Sequence, residues 1–169
     1  MVRLSLLVIA SFLLFSFSNE QAENEKTKWS KFKSEISGTI LQFPGSYSNE
    51  FTEMNGTKKE VTKCDLDQAS YYLIETTYKG DVTNHEENAQ KLLNGYAAKL
   101  GGKIISESVW KIKKNKGRQA KISYSNNYGT AFYRVIFIGQ KQFQVLIVSN
   151  TVDIPDEKIR KKFFNSFKP

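Results

Sequence analysis

The sequence predicts a domain of the α+β class, an α/β/α sandwich in which helices cover both faces of an antiparallel sheet. Several strand-like segments are apolar on both sides, such as "YYLI" at residues 71–74 and "VIFI" at residues 135–138, which indicates a sheet with neither face in water. Two segments with helical spacing of apolar residues, near 83–100 and 154–168, each require a sheet face to cover.

The N-terminus has the pattern of a secretory signal peptide, predicted over residues 1–18. Arg3 precedes an apolar run from Leu4 to Phe17, which is shorter than the ~20 residues that span a bilayer as a helix. We therefore expect cleavage before Asn19 and a protein that is extracytoplasmic, periplasmic or secreted, with no stable membrane insertion afterwards.

The remaining chain divides into a leader and one domain. Residues 19–28 contain no large apolar side chain and predict a disordered leader. Residues 29–169 are enough for a single domain with its own core, and we expect a monomer.

Two turn signals organise the first strands. The strand predicted at residues 40–43 ends in "FPG", where Pro lacks an amide donor and Gly permits a turn, so Phe43 is expected to fill the core. Asn55-Gly56 favours a tight two-residue hairpin, because both positions tolerate positive φ.

A three-strand meander is predicted in the second half of the chain. Apolar residues alternate on either side of a turn expected at residues 114–117, "KNKG", which predicts one hairpin. The segments "VIFI" and "VLIV" are separated by the short link "GQKQ" and predict a second antiparallel pair.

The first helix is predicted to begin with a capping box formed by Thr83 and Glu86 and to stop at Gly101-Gly102. The last helix places Ile159, Phe163 and Phe167 at four-residue intervals, so Phe163 and Phe167 are expected to be buried against the sheet.

This order of elements resembles the family of PsbP, the extrinsic photosystem II protein, whose relatives include a nuclear-transport factor that binds the GTPase Ran and small exported bacterial proteins. The features that carry the resemblance are the Phe-Pro-Gly strand end, the doubly buried strand, the helix ending in Gly-Gly, the meander and the closing "FFNSFK". The resemblance implies an α/β/α sandwich and binding to a partner protein rather than catalysis.

Few catalytic or metal-binding arrangements fit the composition. The only histidine is His85 and the only cysteine is Cys64, so a disulfide within the chain, a His-rich metal site and a Cys-His nucleophile pair are not expected. Asp65 and Asp67 begin like a calcium loop, but the later ligand positions do not match. We expect no catalytic residues, no metal and no cofactor.

One alternative remains open, a small-ligand binder or hydrolase that uses carboxylates and tyrosines. Carboxylates from distant strands could converge; the candidates are Glu53, Glu60, Glu75 and Glu107. Aromatic hydroxyls could line a pocket, although a core role is the commoner explanation; the candidates are Tyr71, Tyr72, Tyr78, Tyr96, Tyr124, Tyr128 and Tyr133.

The strongest local signal for binding is a cluster of cations, which we call the basic hairpin: Lys111, Lys113, Lys114, Lys116, Arg118 and Lys121. Such a cluster suits an acidic protein or an anionic envelope surface, and its simpler explanation is a charged strand edge that resists aggregation. With 25 basic and 17 acidic residues, the chain carries a net charge of +8. The leading hypothesis is an exported, non-enzymatic binding or accessory domain, with no nucleic acid expected as its ligand.

Overall fold

A computed structural model of the protein describes residues 28–151 and 154–169. The predicted signal peptide and all but the last residue of the predicted leader lie outside the described residues. In chain order the described elements are β1 (Ser30–Lys33), β2 (Ile40–Phe43), β3 (Ser48–Met54), β4 (Thr57–Asp65), β5 (Ser70–Thr77), α1 (His85–Lys99), β6 (Lys103–Ile112), β7 (Asn115–Tyr124), β8 (Gly129–Ile138), β9 (Lys141–Ser149) and α2 (Glu157–Asn165).

Seven strands form one antiparallel sheet in the order β3-β4-β5-β9-β8-β7-β6. The strands β6 to β9 follow one another as a meander of four strands rather than the three predicted, and the predicted pairs β6–β7 and β8–β9 are confirmed. β1 and β2 pair separately as a small antiparallel hairpin.

The predicted α/β/α sandwich is wrong, because the protein is mostly β. Strands hold 51% of the described residues and helices 17%, and the two helices described are too few and too short to form layers. The segment around Phe32 explains part of the error. Its single buried aromatic between two exposed lysines has the two-residue period of a strand, and it forms β1 where the prediction had no element.

The two faces of the large sheet pack against different elements. Alternate residues of a strand face opposite sides, and in β9 Val145 and Ile147 join one apolar cluster while Leu146 joins the other. The first cluster lies beneath the β1–β2 hairpin and the nine-residue α2. The second lies beneath α1.

The turn signals of the first strands are confirmed. Phe43 ends β2 and is fully buried, and Cys64 is a buried free thiol. Asn55 and Gly56 form the link between β3 and β4 with φ values of 53° and 77°, as a two-residue hairpin with two left-handed residues requires.

The helix ends agree only in part with the sequence signals. Gly101 has a φ of 58° and donates to the Ala98 carbonyl, while Gly102 donates to the Ala97 carbonyl, which is the hydrogen-bond pattern of a Schellman motif. The capping box is wrong, because Asn84 is the N-cap, in a left-handed conformation with no capping bond from its side chain to the described helix residues.

The last helix packs as predicted. Phe163 is fully buried between Phe43 and Tyr71, with ring centroids 5.6 and 5.1 Å away. Phe167 is also buried, but it lies beyond the end of α2 and contacts Trp110. The burial of both phenylalanines is confirmed.

Candidate functional site

The basic hairpin is the β6–β7 hairpin at one edge of the large sheet. Its turn consists of Lys113 and Lys114, with Ile112 paired to Asn115, so the predicted turn at residues 114–117 is wrong. Lys113 takes the left-handed conformation of this turn, with a φ of 52°. Because β6 has a neighbour on one side only among the described strands, its lysines also block an open edge.

The six cations of the basic hairpin do not share one surface. Lys116 pairs with Glu86 of α1 at 3.2 Å, and Arg118 lies 3.8 Å from Glu107. The fold brings Glu86 across from α1, although Glu107 is the nearest acid to the basic hairpin along the sequence. Lys121 faces the other side of the sheet, where its Nζ lies 5.9 Å from the centre of the Phe132 ring.

Lys121 instead belongs to a groove between α2 and the sheet. The groove has a volume of about 460 Å³ and is bounded by β6, β7, β8 and α2. This volume falls within the ~300–1,000 Å³ typical of ligand sites.

Arg134 lies at the inner wall of this groove. Its guanidinium carbon lies 4.3 Å from the centre of the Phe164 ring and 5.6 Å from that of Trp110. Burial lowers the pKa of Arg134, and no carboxylate of the described residues lies within 4 Å of its guanidinium. Arg134 therefore carries a half-buried positive charge held by aromatic rings rather than by an acid.

Two more cations flank Phe132, the aromatic residue that forms the groove floor beside Arg134. Arg160 of α2 places its guanidinium carbon 4.4 Å from the centre of the Phe132 ring, and its Nε donates to the Pro155 carbonyl at 2.9 Å. Lys121 approaches the same ring from β7. Three cations from three elements therefore converge on one aromatic surface.

The acidic side chains at the groove are already paired. Glu157 forms an ion pair with Lys161 at 2.8 Å, and Glu107 forms one with Arg118. The Glu157 carboxylate lies at the groove beside its own cation, whereas the Glu107 carboxylate lies with Arg118 on the α1 side of the sheet. The charges of Arg134, Arg160 and Lys121 are left in excess.

Sheet register explains how this groove is built. Ser108, Gln119 and Arg134 are direct neighbours across β6, β7 and β8, and the Gln119 amide donates to the Ser108 hydroxyl at 2.9 Å. The small side chains of β6 leave the groove open beside Arg134. Two residues further along β6, Trp110 lies opposite Gly117 of β7. Because Gly117 has no side chain, the β8 backbone can approach it closely.

Sequence reasoning missed Arg134, Arg160 and the aromatic floor. A signal was present, since Arg134 is the only charged residue in the otherwise apolar run at 131–138. A charged residue in a strand that is apolar on both sides is costly to bury unless other groups stabilise its charge. Arg160 gave no such signal, because it sits among several cations of α2.

The structure brings together two of the four candidate carboxylates. Glu60 and Glu75 are paired across β4 and β5, and they are only 3% and 1% exposed. Glu60 accepts hydrogen bonds from the Ser34 hydroxyl at 2.5 Å and the Asn49 amide at 2.8 Å. Burial keeps both carboxyls away from a substrate in solution, and Glu53 and Glu107 lie elsewhere.

His85 and most of the candidate tyrosines are packed into the fold, whereas Tyr128 is 67% exposed. His85 is half-buried, stacks on Phe137 and lies with its Nε2 2.7 Å from the Val82 carbonyl. Burial raises the pKa of Tyr71 and Tyr96 to about 12, so these phenols stay neutral.

Residues 28–151 and 154–169 contain neither a metal-binding cluster nor a membrane-spanning helix. No group of three or more His, Cys, Asp or Glu side chains in these ranges is arranged to hold a metal ion. None of the helices described there is long and apolar enough to cross a membrane.

Comparisons of the chain with protein-family models, curated proteins and solved structures found no match. The resemblance to PsbP therefore stays a prediction, and the groove is the structural basis of the function proposed below.

Proposed function

We propose that this protein is an exported, non-enzymatic binding domain whose groove holds an acidic segment of a partner protein. The observation that carries the proposal is the charge of Arg134, half-buried between Phe164 and Trp110 with no carboxylate from the described residues beside it. A carboxylate supplied by a partner would complete this site. The proposal includes export because the sequence predicts a signal peptide at residues 1–18.

The chemistry of the groove favours a carboxylate over other anions. A guanidinium offers two parallel N–H donors that match the two oxygens of a carboxylate, and a site with little water strengthens that pair. Beside the cations, the exposed part of half-buried Phe132 suits an apolar residue next to the acid. An acidic peptide with interspersed aromatic residues fits both features.

Binding of a designed peptide tests the proposal. The probe is a fluorescent peptide of alternating Glu and Phe, and the matched control peptide has Gln in place of Glu. The test variant is Arg134→Met, which keeps an unbranched apolar stem between the rings, and the control variant is Lys114→Ser at the hairpin turn.

We expect the Glu peptide to bind and the Gln peptide to bind much more weakly. Loss of a charge-assisted pair worth ~1.5–3 kcal/mol should weaken binding by Arg134→Met roughly 10- to 150-fold, while Lys114→Ser stays close to the unmodified protein. Rising salt should weaken binding, since the charges of half-buried Arg160 and Lys121 are partly screened. Equal affinity of Arg134→Met and the unmodified protein would contradict the proposal.

A further inference from the structure

A second cleft lies at the other end of the β6–β7 hairpin, next to its turn. Its walls are apolar and come from three parts of the fold. Ile112 lies at the end of β6, Ile138 at the end of β8, and buried Phe143 and Phe167 form the base. The cleft has a volume of about 480 Å³, which is again in the range of small-molecule sites.

Three lysines from three different parts of the fold line the same cleft. Lys113 belongs to the hairpin turn, Lys141 begins β9, and Lys168 follows Phe167. No Asp or Glu of the described residues lines the cleft, and none of the three ammonium groups forms an ion pair with a described residue. An apolar base thus lies beneath three ammonium groups that form no ion pair with a described residue.

We propose that this cleft binds an amphiphilic anion, an unbranched apolar chain that ends in a carboxylate or phosphate head group. The chain would lie on Phe143, Phe167 and the two isoleucines, and the head group would contact the lysines. This ligand buries apolar surface and neutralises charge at the same time, whereas a purely polar anion would leave the apolar base in water. The site is separate from the Arg134 groove and does not depend on the function proposed for it.

Lys113 and Lys168 are the main head-group contacts. Lys141 already acts on another charge: burial raises the pKa of the Glu75 carboxyl on the strand next to β9, and the Lys141 ammonium partly opposes that rise. Lys113 and Lys168 are exposed and have the freedom to turn toward a ligand. Lysine side chains suit this role as flexible point charges that accept either kind of head group.

The test compares three probes that share one apolar chain. Decanoate, decanol and decyltrimethylammonium are titrated below their aggregation limits into the full protein, and the amide NMR signals of Ile112, Ile138 and Phe143 are followed. The test variant is Lys113→Ser with Lys168→Ser. The control variant is Lys58→Ser with Lys59→Ser, which removes two exposed lysines of β4.

We expect saturable binding of decanoate at these three residues, and weaker binding of decanol. Removal of Lys113 and Lys168 should weaken decanoate binding about tenfold or more, while the control variant keeps the original affinity. A decanoyl lysophospholipid with an anionic head group distinguishes the source of the ligand. Preference for it indicates a lipid head group, and preference for decanoate indicates a free acid.

Three results would overturn this inference. One is an absence of saturable binding by every anionic probe. Another is equal binding of decyltrimethylammonium and decanoate, which would show that charge plays no part. The third is an unchanged decanoate affinity after Lys113 and Lys168 are replaced, because exposed lysines can be removed without unfolding the protein.

Discussion

Two charged residues, Arg134 and Glu75, occupy strands whose other residues are largely buried, and their environments differ. Arg134 lies between aromatic rings and faces an open groove. Glu75 is buried under the β1–β2 hairpin, and neither of its carboxylate oxygens has a hydrogen-bond partner among the described residues. The guanidinium of Arg134 is therefore available for a ligand, whereas burial of a charged Glu75 carboxylate destabilises the folded protein.

The pKa of Glu75 is raised from its ordinary value of 4.5. Burial is the main cause, the negative charge of Glu60 adds to it, and Ser34, Ser37 and Lys141 only partly oppose it. Above pH 4.5 the unfolded chain has released this proton while the folded protein still holds it. The free energy of unfolding therefore falls by up to about 1.4 kcal/mol per pH unit until the raised pKa is passed.

Glu75→Gln should remove this pH-dependent loss. We expect the variant to gain stability relative to the unmodified protein as pH rises from 4 to 8, because its amide has no charge to bury. Urea unfolding at each pH measures the difference, with Glu53→Gln on exposed β3 as the control. A difference that stays constant between pH 4 and pH 8 would be inconsistent with a raised pKa.

Among the elements, α2 links the core to the candidate site. Its buried face holds Phe163 against Phe43 and Tyr71, while Phe164 and Arg160 contribute to the groove. The N-cap Asp156 accepts from the Lys158 amide at 2.6 Å and fixes the start of the helix. Packing of α2 therefore determines the shape of the groove.

Phe163→Ala should destabilise the protein by ~3–5 kcal/mol, because it leaves a cavity in a fully buried site. The thermal or urea midpoint measures this loss, and Phe51→Ala is the control, since Phe51 on β3 is 50% exposed. We also expect weaker peptide binding at temperatures where Phe163→Ala is still folded. Similar midpoints for the two variants would show that α2 contributes little to the core.

Two glycine-to-alanine substitutions are expected to change the stability of the protein in opposite directions. In Gly117→Ala the new methyl carbon would lie 2.1 Å from the Val135 carbonyl oxygen, so β7 or β8 must shift and stability should fall. In Gly95→Ala the methyl meets nothing within 4 Å on the exposed side of α1, and stability should rise by ~0.5–1 kcal/mol. Unfolding midpoints that move in the same direction for both variants would refute this account.

At the scale of the whole molecule, the sequence predicted local features better than the architecture. Asn55-Gly56, the Gly101-Gly102 helix end and the burial of Phe163 each depend on the conformation or polarity of nearby residues, and each is confirmed. The fold class depends on how the segments assemble, and β1 pairs with β2 in a hairpin that is separate from the seven-strand sheet. This hairpin was not predicted, because short β1 has a single buried residue among its four.

The site was difficult to predict for the same reason. Lys121 was identified, but its neighbours in space, Arg134 and Arg160, come from β8 and α2. Clustering along the sequence instead drew attention to Lys116 and Arg118, which the fold pairs with Glu86 and Glu107. Sheet register determines which cations keep an unpaired charge, and a linear cluster of lysines carries no information about register.

Mapping the bound acidic peptide by amide NMR tests the central claim most directly. The Glu and Phe peptide is titrated into the isotope-labelled protein, and shift changes are followed for each residue. We predict that the largest changes fall around the groove, at Gln119, Arg134 and Asn165, and that Arg134→Met requires a roughly 10- to 150-fold higher peptide concentration to reach them. Changes centred on the hairpin turn at residues 111–116, with the groove unaffected, would contradict the account.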